Sequence, residues 1–262
     1  MKDAPRGGFT RRSMLAGGSA AFVAAGFPGA LRSTLSSVAA QSGTGSLEVG
    51  TVGDFLNLDP FVMSFVNYPH METAYDQLMR LDHEVKPQPA LAESWAWSDD
   101  ALELTLTLRQ GVTFHSGRAL TAADVVKNFE RAAVKETGGN LYSFLPKFKA
   151  VEAVDDANVR LSLDQPCAYL EPVLGLLSII DPDGFENLKS TEAGSGPFAL
   201  KEWIPGDHAT FVRNESYWDS SRPQLDEVTY RFYADPSSLV AALEGEGRQL
   251  VLATQHAGKA HA

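Results

Sequence analysis

The side chains that could do chemistry are few in this chain and poorly spaced for it. One cysteine, Cys167, leaves no intrachain disulfide and no multi-cysteine metal site, and beside Pro166 it reads as a small buried hydrophobe. His70, His83, His115 and His208 are scattered with no pair at metal-ligand spacing, and each is expected at the surface or in a capping role. His83-Glu84 begins like a zinc peptidase helix. The second histidine is missing, however, and Pro87 and Pro89 forbid a helix there. Ser195 lacks the glycine two residues earlier that a nucleophile elbow needs, because Ala193 stands there. Gly258-Lys259 has no glycine five residues upstream and no Ser or Thr after it, so it cradles no phosphate. Gly194, Gly196 and Ala199 fit a loose dinucleotide fingerprint, yet Pro197 removes a backbone donor and alternation follows where a helix is required. No catalytic residue, metal or cofactor is expected.

Binding without reaction is what remains, and the bulk numbers narrow the partner. Against 22 Lys and Arg stand 33 Asp and Glu, a formal charge of −11 over 262 residues. Such a surface repels phosphate backbones, so no nucleic acid is expected. The first forty residues carry Lys2, Arg6, Arg11 and Arg12 ahead of a Gly- and Ala-rich run that ends in Val38-Ala39-Ala40. That is an export signal, with cleavage expected near Ala40 and a periplasmic product. Thr10-Arg11-Arg12-Ser13-Met14-Leu15 resembles a twin-arginine signal, an ordinary Sec signal being the alternative. No cysteine lies near the cleavage point, so no lipid anchor is expected there.

The elements that must position a binding site follow from periodicity. Leu47 to Val52 reads as a strand, and Gly53 to Pro60 as a loop. Tyr68 to Leu81 reads as a helix, with Met71, Ala74, Tyr75, Leu78 and Met79 on one face. Leu102, Leu104, Leu106 and Leu108 alternate with polar residues as a half-buried strand. Thr121 caps a helix with Asp124 three residues on, and Val125, Val126, Phe129 and Ala133 form its buried face. Residues 151–154 and 159–163 form a hairpin, while 170–180 is open between helix and buried strand. Three strands follow at 198–203, 209–213 and 228–233. A last helix after Asp235-Pro236 places Leu239, Val240 and Leu243 on its apolar face.

Several stretches, in order, resemble the extracytoplasmic solute-binding proteins of family 5, the peptide, dipeptide and nickel binding components of ABC importers. The matching residues are Leu58-Asp59-Pro60, Tyr75-Asp76-Gln77-Leu78, Pro89 to Trp95, Leu108 to Gly117 and Leu120 to Val126. The match resumes at Gly194 to Phe198 and Arg213 to Trp218, and ends near Leu239 to Gly245. The resemblance implies an α/β fold of the periplasmic binding protein type II, with an extra subdomain and mixed sheets flanked by helices. It also implies a longer chain than this one, so only the amino-terminal portion of a two-lobe fold is expected. Residues 41–76 and 194–250 would be lobe one, 77–193 the accessory subdomain, and 251–262 a tail outside the family.

Carried over by position, the cleft-lining candidates are Phe55, Asn57, Ser64, Phe65, Val66, Asn67, Gly194, Ser195 and Gly196. Phe65 and Val66 could equally be core, and the glycines could serve only a tight turn. The implied partners are a peptide or similar small solute and the membrane permease subunits, with the protein a monomer. The facing lobe is expected to supply the charged group for a ligand's termini, and weak solute binding by this chain alone follows. Two other readings stay open: a secreted hydrolase with an unfamiliar site, and a non-functional remnant.

Overall fold

β-Branched and aromatic residues recur in the longer strands, such as Val228, Thr229, Tyr230, Phe232 and Tyr233. The computed structural model describes residues 45–62, 64, 67–245 and 250–253. In chain order it contains strand β1 (Ser46–Val52), a 3₁₀ turn at Pro60–Val62, helix α1 (Tyr68–Ala74), β2 (Met79–Leu81), β3 (Pro87–Pro89), β4 (Ala92–Trp97) and β5 (Glu103–Leu108). Helices α2 (Ala122–Ala132) and α3 (Lys135–Gly138) precede β6 (Phe148–Ala153), β7 (Asn158–Leu163) and α4 (Leu170–Leu174). The chain continues through β8 (Phe198–Ile204), β9 (His208–Arg213), β10 (Glu227–Tyr233), α5 (Pro236–Gly245) and β11 (Leu250–Ala253). The expected export signal, Phe65 and Val66 lie outside the described residues.

Two larger sheets organise these elements. One has the order β11-β1-β10-β9-β8, with β1 parallel to both neighbours. The other is antiparallel, β4-β5-β7-β6, and β2 with β3 forms a short ribbon. The chain thus leaves the first sheet after one strand, builds the second, and returns at β8. Leu104, Leu106 and Leu108 are buried on β5, as their alternation predicts. β11 spans 250–253, across the expected start of the tail.

Helix α2 starts on the expected capping box: Thr121 N–H donates to the Asp124 carboxylate at 2.9 Å. Arg118 binds that carboxylate at 3.0 Å and Asp181 at 2.5 Å, which ties the helix start to the segment after α4. Ala132, rather than Ala133, completes the buried face, because the helix ends there and Ala133 is its exposed C-cap. In α5, Leu239 is buried but Val240 is exposed, so the expected apolar face is narrower.

The expected helix over Tyr68 to Leu81 stops at Ala74, where Tyr75 turns extended at φ −121°. Tertiary pairing takes the backbone from there. The Ala74 carbonyl accepts the Gly196 N–H at 2.9 Å, Asp76 C=O accepts from Ile179 at 2.8 Å, and Leu78 C=O accepts from Ala92 at 2.8 Å. Met71, Ala74, Tyr75, Leu78 and Met79 are all buried, so helical spacing registered burial correctly and conformation wrongly. The undecided stretch 170–180 divides: α4 ends at Leu174, and Ser178 then pairs with Gln77 as an isolated antiparallel bridge. Cys167 is half-buried at the edge of the core.

Two histidines contradict the surface expectation. His70 is fully buried against Phe55, with ring centroids 4.8 Å apart, and neither ring nitrogen has a well-formed hydrogen bond. Burial lowers its pKa to about 4, against a smaller opposing pull from the Leu58 backbone. The folded state therefore binds this proton less readily than the unfolded chain. Its stabilising effect is complete above pH 6.5 and is lost as pH falls toward 4. Between pH 7 and pH 5 the fold should lose about 2 kcal/mol from this group. Urea unfolding of His70→Phe at both pH values should show that loss removed.

Candidate functional site

Helix α1 has two faces. His70, Thr73 and Ala74 point into the core, where Thr73 Oγ1 lies 2.6 Å from the Tyr230 hydroxyl on β10. Tyr68, Met71 and Glu72, spaced three and four residues apart, share the other face. That face lines a cavity of about 350 Å³ completed by Ser64, the β2 approach (Gln77, Arg80, Leu81) and the chain after α4 (Gly175, Leu176, Ser178). Two stretches distant in sequence converge here, the residues between Ser64 and Leu81 and those between Gly175 and Ser178. The Ser64 carbonyl accepts the N–H groups of Asn67 and Tyr68 at 2.9 and 3.0 Å, which fixes the loop that enters the helix. At Gly175 a Cβ would sit 2.7 Å from Leu81 Cγ, so the missing side chain is what lets the two walls meet.

The cavity's polarity comes from groups of different standing. The Arg80 guanidinium is already engaged, 3.1 Å from Asp76 and 2.6 Å from the Tyr217 hydroxyl, with Trp218 beneath it. Glu72 is exposed, yet partial desolvation by its neighbours raises its pKa, with the Tyr68 hydroxyl and Arg80 pulling it back. Ser178 is 1% exposed and its hydroxyl has no hydrogen-bond partner. Among the described residues no three or more His, Cys, Asp or Glu are grouped to hold a metal ion.

Of the described residues among those expected to line a cleft, Ser64 alone borders this cavity. Phe55 is buried, ringed by His70, Trp203, Phe211, Tyr230 and Phe232, which is a core position. Asn57 and Asn67 brace their own loop: Asn67 Oδ1 accepts the Leu56 N–H at 2.8 Å, and Asn57 Oδ1 accepts that of Asp59 at 3.0 Å. Gly194 and Gly196 press on the backbone at Ala74, where a Cβ at Gly194 would lie 1.9 Å from the Ala74 carbonyl oxygen. Ser195 between them is buried with its hydroxyl unpartnered. The three residues work as a strap across the end of α1. Tyr68, Glu72, Gln77, Leu176 and Ser178 escaped sequence reasoning. A helix read through to Leu81 hides which of its residues face out, and nothing local marks 175–178.

His115 holds the strap. Its backbone N–H donates to Gly194 C=O at 2.8 Å, Nε2 donates to Gly196 C=O at 3.0 Å, and Nδ1 donates to Glu192 at 2.8 Å. Both ring nitrogens donate, the pattern of an imidazolium. Burial by itself would lower the pKa, but the Glu192 carboxylate outweighs it and holds the value above 6.5. This stabilisation is complete below pH 6.5 and is lost as pH rises through the raised value. Chemical denaturation should show stability falling on the alkaline side of 6.5, and His115→Gln should flatten that slope.

The family is shown by comparison. A model of bacterial extracellular solute-binding proteins, family 5 (middle region), matches residues 86–257, and the chain belongs to that family. The glutathione-binding protein GsiB of Salmonella typhi is 30% identical over 203 residues, covering 75% of this chain and 40% of GsiB. Among solved structures, the ABC transporter substrate-binding protein CtaP of Listeria monocytogenes superposes with a TM-score of 0.71 at 29% identity. That likeness covers 79% of this chain and 44% of CtaP. The oligopeptide-binding protein AppA of Bacillus subtilis, solved with a nonapeptide, gives 0.73 at 26% identity over 79% of this chain and 43% of AppA. The fold is therefore that of part of a type II periplasmic binding protein, and the chain spans about 40% of the length of the GsiB relatives it matches.

Proposed function

We propose that this chain forms the amino-terminal ligand-holding wall of the substrate-binding component of an ABC importer. It would capture peptides or similar small solutes outside the cytoplasmic membrane, for delivery to the permease subunits. The observation that carries this is the convergence of Ser64, α1, the β2 approach and 175–178 on one cavity in a family 5 chain. The named ligands of its relatives, glutathione and a nonapeptide, fit a cleft that pairs with peptide main chain and accepts varied side chains. The function is binding, not catalysis. It is carried out by a monomer exported through the leader at 1–40, with cleavage near Ala40.

The proposed division is lobe one at 41–76 and 194–250 around an accessory subdomain at 77–193. The strand make-up of the two sheets supports it, since β1 recruits only strands from 198 onward. Ser64 forms part of the rim of the cavity in this reading, Asn57 and Asn67 brace the loop beside it, and Phe55 and the 194–196 strap pack on helix α1. Amide NMR spectra recorded while a pool of di- to hexapeptides is added would test it. Shifts should concentrate at residues 64, 67–81 and 175–178. Saturating peptide that leaves those resonances unmoved would refute the proposal.

A further inference from the structure

The strap over the end of α1 is held by contacts of two kinds. Backbone bonds form the first: Gly196 N–H donates to Ala74 C=O at 2.9 Å, and His115 N–H donates to Gly194 C=O at 2.8 Å. The His115 ring makes the second, reaching Glu192 at 2.8 Å through Nδ1 and Gly196 C=O at 3.0 Å through Nε2. The Glu192 side chain is 4% exposed and also accepts the Gly194 N–H, so ring, carboxylate and strap close one enclosed circuit. Two charged groups act on the imidazole. Glu192 touches it, and Asp76, itself paired with Arg80, lies beyond where the chain leaves α1. The Tyr75 hydroxyl, which accepts the Ala193 N–H at 3.3 Å, stays neutral because burial and Glu192 raise its pKa.

The circuit needs a proton on each ring nitrogen, and a neutral imidazole has only one. With that proton on Nδ1, the Nε2 lone pair faces the Gly196 carbonyl oxygen, and two buried acceptors oppose each other. The carbonyl has another partner at hand, because Asn214 Nδ2 already lies 3.0 Å from it. Ser195 also gains by leaving. Its hydroxyl is buried without a partner in the docked strap and reaches water in a lifted one. Two arrangements are thus open to the strap, and the charge on the ring biases the choice.

We infer that His115 is a latch worked by pH: charged, it docks the strap on the end of α1, and neutral, it lets the strap lift while both large sheets stay folded. The opening is local, unlike the overall loss of stability at alkaline pH. It reaches the cavity because Gln77 and Arg80, in its wall, follow Ala74 within one short stretch of chain. What the opening does to ligand capture rests on the proposed binding role, whereas the latch itself does not.

Amide hydrogen exchange from about pH 6 to about pH 9, each rate divided by its unstructured-chain value, reads the latch. The reporters are Gly196 and Tyr75, whose N–H groups donate to Ala74 and Met71, and Leu104 and Leu106 on central strand β5 report global unfolding. Gly196 and Tyr75 should be less protected than β5, and low urea should speed their exchange little while it speeds that of β5 steeply. Protection at Gly196 should fall by about tenfold or more across the range, as a charge-assisted bond is lost, and should track the His115 ring titration. Glu192→Gln keeps the side chain's size and removes its charge, so the ring should titrate lower and the opening should move to lower pH with it. His115→Gln should leave Gly196 weakly protected throughout. Gly196 exchange that is flat with pH, that matches β5 in protection and urea dependence, or that stays put when E192Q moves the ring titration would overturn the latch. No ligand enters these readouts, so the binding role stands or falls separately.

Discussion

Gly194→Ala should destabilise the protein by about 4 kcal/mol and leave most of it insoluble, the largest effect expected from any single methyl group here. The new Cβ would sit 1.9 Å from the Ala74 carbonyl oxygen and 2.8 Å from its carbon. Neither neighbour can yield. Ala74 closes α1 and accepts the Gly196 N–H, and the strap is fixed from its other side by His115. Cores tolerate a shifted side chain far better than a shifted backbone crossing. Gly45→Ala is the control, since its Cβ would meet only Leu225 at 3.7 Å. Soluble yield and urea midpoints should fall for the first variant and hold for the second.

Asp76→Ala should cost about 3–5 kcal/mol. The Asp76 carboxylate is buried and accepts from Arg80 at 3.1 Å, the Tyr217 hydroxyl at 2.9 Å and the Trp218 indole at 2.9 Å. Its removal strands three donors, one of them a cation, in a region that also carries Arg109 stacked 4.2 Å over Trp218. Burial raises the Asp76 pKa in spite of those donors. Ionisation itself is therefore a net cost, growing as pH rises from 3.8 through the raised value. What the carboxylate contributes is satisfaction of its neighbours. Asp76→Asn keeps the volume and one acceptor oxygen, so its unfolding midpoint should fall between those of the parent and the alanine variant.

Both sites lie inside stretches that carried the family resemblance, Tyr75 to Leu78 and Gly194 to Phe198. Much of the fold was legible because its cues are local. Leucines at 104, 106 and 108 alternate whatever else the chain does. Thr121 and Asp124 need only each other to cap α2, and Gly and Pro mark the corners. The end of α1 was not legible, because it is decided by hydrogen bonds from Gly196, Ile179 and Ala92, all remote in sequence. His115 was misplaced for a related reason, as nothing near it announces Glu192, seventy-seven residues on. The candidate site was the least legible part. Ser64 was named by position, but Glu72 and Ser178 come to line one cavity only after the second sheet has been built between them in sequence.

A trialanine analogue carrying a photoreactive benzophenone at its carboxyl end, irradiated with the full chain and followed by peptide mapping, probes the central claim most directly. Attachment within residues 64–81 or 175–178, suppressed by excess trialanine, is the predicted result. Attachment confined to other surfaces, or none that trialanine suppresses, would contradict it.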